Sequence, residues 1–140
     1  VAESCTGGKI TDRLTDRPGA SRYFVGGVVA YSDDSKHALL GVDRHILEAQ
    51  GAVSEGCARA MALGVRRAFG VDVGLAVTGI AGPTGATPTK PVGTVHLAAT
   101  AEGLTLHRHL QLSGTREEIK RAASEAALEL LRELLTGPGR

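Results

Sequence analysis

Hydrophobic and polar positions repeat with two different periods along this chain, and the changes of period mark its elements. Val1-Ala2-Glu3 reads as the tail of a buried strand without its beginning, so we expect the rest of that strand and a preceding helix to lie upstream. Ser4-Cys5-Thr6-Gly7-Gly8 then leads into a helix predicted from about Gly8 to Asp16, with Ile10 and Leu14 on one face and Pro18-Gly19 ending it. Tyr23 to Tyr31 is an apolar, β-favouring run, interrupted by Gly26-Gly27 where another backbone can come close. At Ser32-Asp33-Asp34-Ser35-Lys36 it becomes a turn and a short helix. Asp43 is placed to cap a second short helix. Ser54 is placed to cap a longer one to about Phe69, with Ala58, Met61, Ala62, Val65, Ala68 and Phe69 on one face.

Val73 to Ile80 is predicted as a fully buried strand that ends in a glycine- and proline-rich loop, Ala81 to Pro91. Strands over Val92 to Thr100 and Leu104 to Leu112 follow, joined as a hairpin at Ala101-Glu102-Gly103. In the second, Leu104, Leu106, Leu110 and Leu112 share one face and Thr105, His107, His109 and Gln111 the other; Arg108 breaks the apolar parity, either to meet a phosphate or another subunit or as part of a bulge. Thr115 and Glu118 form a capping box for a terminal helix with an apolar stripe at Ile119, Ala122, Ala126, Leu130 and Leu134, and a frayed tail is expected from Gly137 to Arg140. Strands and helices in this order, without repeat or linker, predict one domain, an α/β fold built as a three-layer α/β/α sandwich with a mixed sheet.

Composition narrows the partners. The 140 residues, 42% of them apolar, suffice for a core between layers. With 16 Lys+Arg against 15 Asp+Glu the net charge is +1, and no block of one sign could track a nucleic acid. Cys5 and Cys57 lack a CxxC spacing, which favours a reducing compartment. No run is apolar enough to span a membrane and no signal peptide is visible, so the expected setting is the cytoplasm with no membrane partner.

Ligands of open α/β sheets bind beyond the strand ends, which singles out Ser4 to Gly8, Tyr31 to Lys36 and Thr78 to Lys90. The first sets a hydroxyl at a strand exit before two glycines, whose turn leaves N–H groups for an anion or oxyanion; alternatively Ser4 or Thr6 only caps the helix. The second offers Tyr31 and Lys36. No histidine presents itself as a base, and Lys36 can serve only if burial or a nearby cation brings its pKa down towards neutrality; alternatively it is exposed and Tyr31 completes the core. In the third, loop N–H groups, the Thr78 hydroxyl and the Lys90 charge could hold a phosphate, or the loop is a long surface connection.

Several blocks in order resemble the C-terminal domain of the CinA family of nicotinamide-nucleotide amidases. They are Ala2-Glu3-Ser4-Cys5-Thr6-Gly7-Gly8, Phe24-Val25-Gly26-Gly27 through Tyr31-Ser32 to Lys36, Gly51-Ala52-Val53-Ser54, Thr78-Gly79-Ile80-Ala81-Gly82-Pro83, and Lys90-Pro91-Val92-Gly93-Thr94. The resemblance implies an α/β/α sandwich that commonly forms oligomers and deamidates nicotinamide mononucleotide to the nicotinate form without metal or cofactor. It implies Ser4 as nucleophile, Lys36 as base and Tyr31 as its partner. Thr6, Gly7, Gly8, Thr78, Gly79, Ala81, Gly82 and Lys90 would contact the substrate. Gly85-Ala86-Thr87-Pro88-Thr89 departs from the glycine pair and acidic residues common in the family, and Asp33-Asp34-Ser35 from its Asn-Glu-Ala.

Three other readings compete. Cys5, beside Ser4, is intrinsically the better nucleophile, but strand alternation lets only one of the two face a pocket. A nicotinamide-dependent reductase would need its tyrosine and lysine four apart and a GxGxxG turn, and neither occurs. A non-catalytic nucleotide-binding module would use the same loops without cleavage. His107 and His109 are read as an exposed strand face, since no third metal ligand is evident.

Overall fold

The computed structural model describes residues 1–137, so the frayed tail expected at the carboxyl end lies, except for Gly137, outside the described residues. Five strands form a mixed sheet in the order β2-β1-β3-β4-β5. They are β1 (Ala2–Glu3), β2 (Val28–Val29), β3 (Gly74–Gly79), β4 (Thr94–Ala101) and β5 (Leu104–Gln111). β1 runs parallel to β2 and β3, whereas β3, β4 and β5 are antiparallel neighbours. Helices α1 (Lys9–Leu14) and α5 (Arg116–Thr136) cover one face; α2 (Asp33–Leu40), α3 (Arg44–Ala49) and α4 (Glu55–Phe69) cover the other. This is the expected three-layer α/β/α sandwich, and each sheet face has its own apolar cluster.

Strand alternation assigns residues to the two clusters. Ala2, Ala76 and Ala98 pack with Leu40, Met61, Ala62 and Val65 of the α2–α4 layer. Leu75, Val77, Leu97 and Ala99 pack with Ile10, Ile119, Ala123, Leu130 and Leu134 of the α1/α5 layer. Caps predicted at Asp43, Ser54 and Thr115 are in place, the last as a full capping box with Glu118. In α5 the fully buried stripe runs through Ala123 and Ala127, with the expected Ala122 and Ala126 half-buried beside it. At the end of α4, Ala68 is exposed.

Two expectations about strands are corrected. Only Val28–Val29 of the apolar run Tyr23 to Tyr31 is a strand, and a single 3₁₀ turn, Ala20–Arg22, precedes it. The glycine pair is where side chains come close: a Cβ on Gly26 would lie 2.4 Å from the Phe69 ring, and one on Gly27 2.6 Å from the Thr11 hydroxyl. The run therefore wedges between α1 and α4 before it joins the sheet. Nor does β5 bulge at Arg108. The register with β4 is unbroken from Thr94↔Gln111 to Ala101↔Leu104, and Arg108 reaches Glu133 (2.6 Å) and Glu129 (3.8 Å) on α5.

The least expected interaction is at Glu3, which is fully buried on the α1 side. Its Oε1 accepts from the Thr6 hydroxyl (2.6 Å) and the Gly8 and Ile10 amides (3.2 and 3.0 Å). Its Oε2 accepts from the Thr11 amide (2.9 Å) and hydroxyl (2.6 Å). Gly8, the N-cap of α1, has no side chain to offer, so this carboxylate satisfies the helix start from the neighbouring strand. Burial pushes the Glu3 pKa up, but the bonds from Thr11, Thr6 and the Ile10 amide outweigh it and hold the carboxyl below its ordinary 4.5.

The folded pKa being the lower, the stabilisation from Glu3 is complete above 4.5 and is lost as pH falls through the folded value. Glu3→Gln, which turns an NH₂ group towards these donors, is expected to cost at least about 2 kcal/mol in urea unfolding at pH 7. The deficit should shrink as the pH is lowered into that window.

Candidate active site

The loop after β1 enters α1 on one face of the sheet, while the loop after the adjacent parallel β2 enters α2 on the other. Such divergence at the carboxyl ends of two strands is where open α/β sheets place their ligands. Ser4 stands at the end of β1 and Tyr31 to Lys36 follow β2, so the topology brings two of the three predicted segments together. Ser4 shares the parity of Ala2 and faces the α2 side. Gly7 and Gly8 take φ of 60° and 108°, a left-handed backbone that turns the chain sharply towards α1.

Lys36 is 1% exposed, and its Nζ donates to Ser4 Oγ (3.0 Å) and to the Tyr31 carbonyl oxygen (2.9 Å). Ser32 and Ser35 start α2 with a reciprocal capping box, which fixes the turn carrying Lys36. Burial dominates the electrostatics of the amine and lowers its pKa from 10.5, while the neighbouring Cys57, Asp33 and Cys5 oppose this. The Tyr31 carbonyl can only accept, so it takes one N–H. In the neutral amine the lone pair is then free to take the Ser4 proton. The arrangement is a hydroxyl in contact with an amine whose neutral form can accept a proton.

The remaining predicted residues divide. The Tyr31 phenol is not at the amine: the residue is 57% exposed and its hydroxyl accepts from Arg116 (3.0 Å), whose other nitrogen donates to the Gly82 carbonyl (2.7 Å). The Thr6 hydroxyl serves Glu3 and not the helix or the cleft. The Gly7 and Gly8 amides, expected as oxyanion donors, are engaged by the Ser4 carbonyl (3.1 Å) and by Glu3. The Thr6 amide makes no hydrogen bond among the described residues. Thr78 is buried and donates to the Ala52 carbonyl (2.9 Å), and Lys90 Nζ donates to the Gln50 carbonyl. The phosphate donors expected from these two side chains are thus committed to the segment before α4. Gly79 lies against Cys5 Sγ, and Ala81 and Gly82 are buried where the third loop leaves β3.

Cys5 points away from Lys36 into the α1/α5 core, where burial raises its thiol to about 11. Cys57 is buried in the opposite core and raised to about 11 for the same reason. Sequence reasoning missed Glu3, whose acidic side chain beside the motif was the available signal, and Arg116, which had none. It also passed over His96, which joins His107 and His109 on one face. A cavity of about 530 Å³ lined by Val1, Tyr23, Phe24, Val71 and Leu131 lies at the opposite ends of β1 and β3, away from this chemistry.

A serine touching a buried lysine thus lies at the carboxyl ends of parallel strands in a single α/β/α domain. The chain belongs to the CinA family: residues 1–135 match the CinA C-terminal domain. It is 52% identical over 140 residues to a CinA-like protein of Mycolicibacterium gilvum and 53% identical over 135 residues to one of Syntrophotalea carbinolica. These matches take in 99% and 96% of this chain but 33% of each relative, so the chain spans about a third of the curated relatives' length. Among solved structures, a competence/damage inducible protein from Agrobacterium tumefaciens superposes with a TM-score of 0.94 at 43% identity, over 96% of this chain and 83% of that one. A competence damage-inducible protein A from Klebsiella pneumoniae gives 0.93 at 35%, over 98% and 85%. No described helix is long and apolar enough to cross a membrane.

Lys36→Met tests the buried amine. The parent carries the cost of a desolvated charge wherever the folded protein keeps Lys36 protonated, a cost relieved as pH rises through its folded pKa towards 10.5. The variant's melting temperature is therefore expected to equal or exceed the parent's at neutral pH, with the difference moving in the parent's favour as pH rises.

Proposed function

We propose that this domain is an amidohydrolase that converts nicotinamide mononucleotide to nicotinate mononucleotide and ammonia, with Ser4 as nucleophile and Lys36 as base. The observation that carries this is the buried 3.0 Å contact between Lys36 Nζ and Ser4 Oγ. A hydroxyl is a weak nucleophile until a neighbour accepts its proton, and an amine can do so only when burial favours its neutral form.

In this mechanism Ser4 Oγ forms a bond to the carboxamide carbon while its proton passes to Lys36. The carbonyl electrons move to oxygen, facing the Thr6 amide. Collapse of the tetrahedral species breaks the C–N bond, and the Lys36 proton leaves with the nitrogen as ammonia. Water then adds to the ester, giving one proton to Lys36, and the carboxylic acid departs as Ser4 regains that proton, then ionises in water. The cationic pyridinium draws electrons from the carbonyl, which makes the mononucleotide more reactive than free nicotinamide. Tyr31 acts through its main-chain carbonyl, which holds the amine, while its phenol and Arg116 brace the loop at Gly82. A homo-oligomeric, cytoplasmic enzyme needing no cofactor is part of the same reading. Were Ser4 and Lys36 to bind the nucleotide without cleaving it, the domain would instead be a binding module.

The test is ammonia release from nicotinamide mononucleotide. Ser4→Ala is expected to abolish it, and Lys36→Arg, which keeps the charge, to lower kcat by about 10³-fold. Cys5→Ala and Tyr31→Phe should retain most of the activity. An inactive parent that still binds the nucleotide would establish the module, and loss in Cys5→Ala with survival in Ser4→Ala would establish a thiol enzyme.

A further inference from the structure

Three histidines meet on the sheet face that carries Ser4. His96 of β4 stacks on His109 of β5 with ring centroids 4.4 Å apart and planes within 6°, and its Nδ1 lies 3.0 Å from Nε2 of His107. The ladder pairs Thr78 with His96 and His96 with His109, and the Ser4 amide donates to the carbonyl of Val77, next to Thr78. Ser4, Thr78, His96 and His109 thus form a row across the sheet, with His96 two strand spacings, about 10 Å, from Ser4.

The groups facing this cluster are mostly cationic. Lys90 approaches from the loop after β3, and α4 presents Arg59 and Glu55. The one carboxylate bonds Arg59 at 2.8 Å and stands 3.6 Å from His107. Thr78, from β3, is neutral. Burial, reinforced by His109, His107 and Lys90, pushes His96 down to about 4, and burial also lowers His107 against the pull of Glu55. No trio of His, Cys, Asp or Glu among the described residues is arranged to hold a metal. Protonated, these rings would repel one another and Lys90, a repulsion that a bound anion would offset.

We propose that His96, His107 and His109 form a subsite for the phosphomonoester of a nucleotide ligand whose base lies at Ser4. His109 is exposed and offers the entry, and His96 forms the floor. The span from Ser4 to the rings is comparable with the length of a nucleoside monophosphate. Thr78 and Lys90 donate to main-chain carbonyls and His107 is engaged by His96 and Glu55, so His96 Nε2 and the His109 ring are the imidazole nitrogens of the cluster without a partner among the described residues. The identity of the base rests on the amidase reading; the anion site does not.

Two measurements test it. The imidazole Cε1–H resonances are titrated by NMR with and without inorganic phosphate, in the parent and in His109→Gln. Phosphate is expected to raise the midpoints of His96 and His107 by about one unit, a tenfold preference for the protonated rings, and the variant to lose most of this response. Midpoints that ignore phosphate in the parent overturn the proposal. For the enzyme, His109→Gln should lower kcat/KM for nicotinamide mononucleotide about tenfold and leave that for nicotinamide riboside unchanged, the loss of one charge-assisted contact. Equal losses on both substrates also overturn it. A phosphate response without ammonia release from either substrate supports the anion site and removes the amidase reading.

Discussion

The alternation of side chains along one short strand is the constraint on which this structure depends. Between Ala2 and Cys5 successive residues point to opposite layers, so Glu3 and Cys5 enter the α1/α5 layer while Ala2 and Ser4 enter the α2–α4 layer. Shifting this register by one residue would exchange Ser4 with Cys5 at the amine and bury Glu3 among Leu40, Met61 and Val65. The choice of hydroxyl over thiol is thus made by strand geometry.

Two ionisable groups are buried on opposite faces of the sheet at this strand and meet opposite fates. Glu3 receives five donors and stays charged, because hydrogen bonds to the anion outweigh the cost of its burial. Lys36 has two oxygens as partners and only opposing charges at a distance, so burial prevails and favours the neutral amine. The difference lies in the number of preorganised partners, since a helix start supplies N–H donors in excess to the Glu3 anion while the Lys36 ammonium finds only two oxygen acceptors. Glu3 also relieves Ser4 of any capping duty, leaving its hydroxyl to Lys36.

The second half of the chain builds the wall opposite this pair. β3 and β4 carry Thr78 and His96 side by side, and the segment before α4 is tied down on them by Thr78 and Lys90. Arg116, at the start of α5, reaches back to Gly82 and Tyr31 and so ties the last helix to the segments that follow β3 and β2. The long loop, though rich in glycine, is held where it leaves β3.

The sequence by itself determined the layers, the caps at Asp43, Ser54 and Thr115, the hairpin, and the residues at the strand ends, because hydrophobic period and turn chemistry are local properties. The CinA relationship was legible for the same reason, in short motifs whose order survives without coordinates. Only the tertiary structure decided how those residues are paired. Whether Tyr31 offers its ring or its carbonyl, where the Glu3 carboxylate finds donors, and that His96 joins two histidines of another strand are matters of contacts between distant segments. The apolar run before β2 was misread because its glycines accommodate Phe69 and Thr11, side chains brought there by α4 and α1. A hydrophobic pattern records that a residue is buried and not what lies against it.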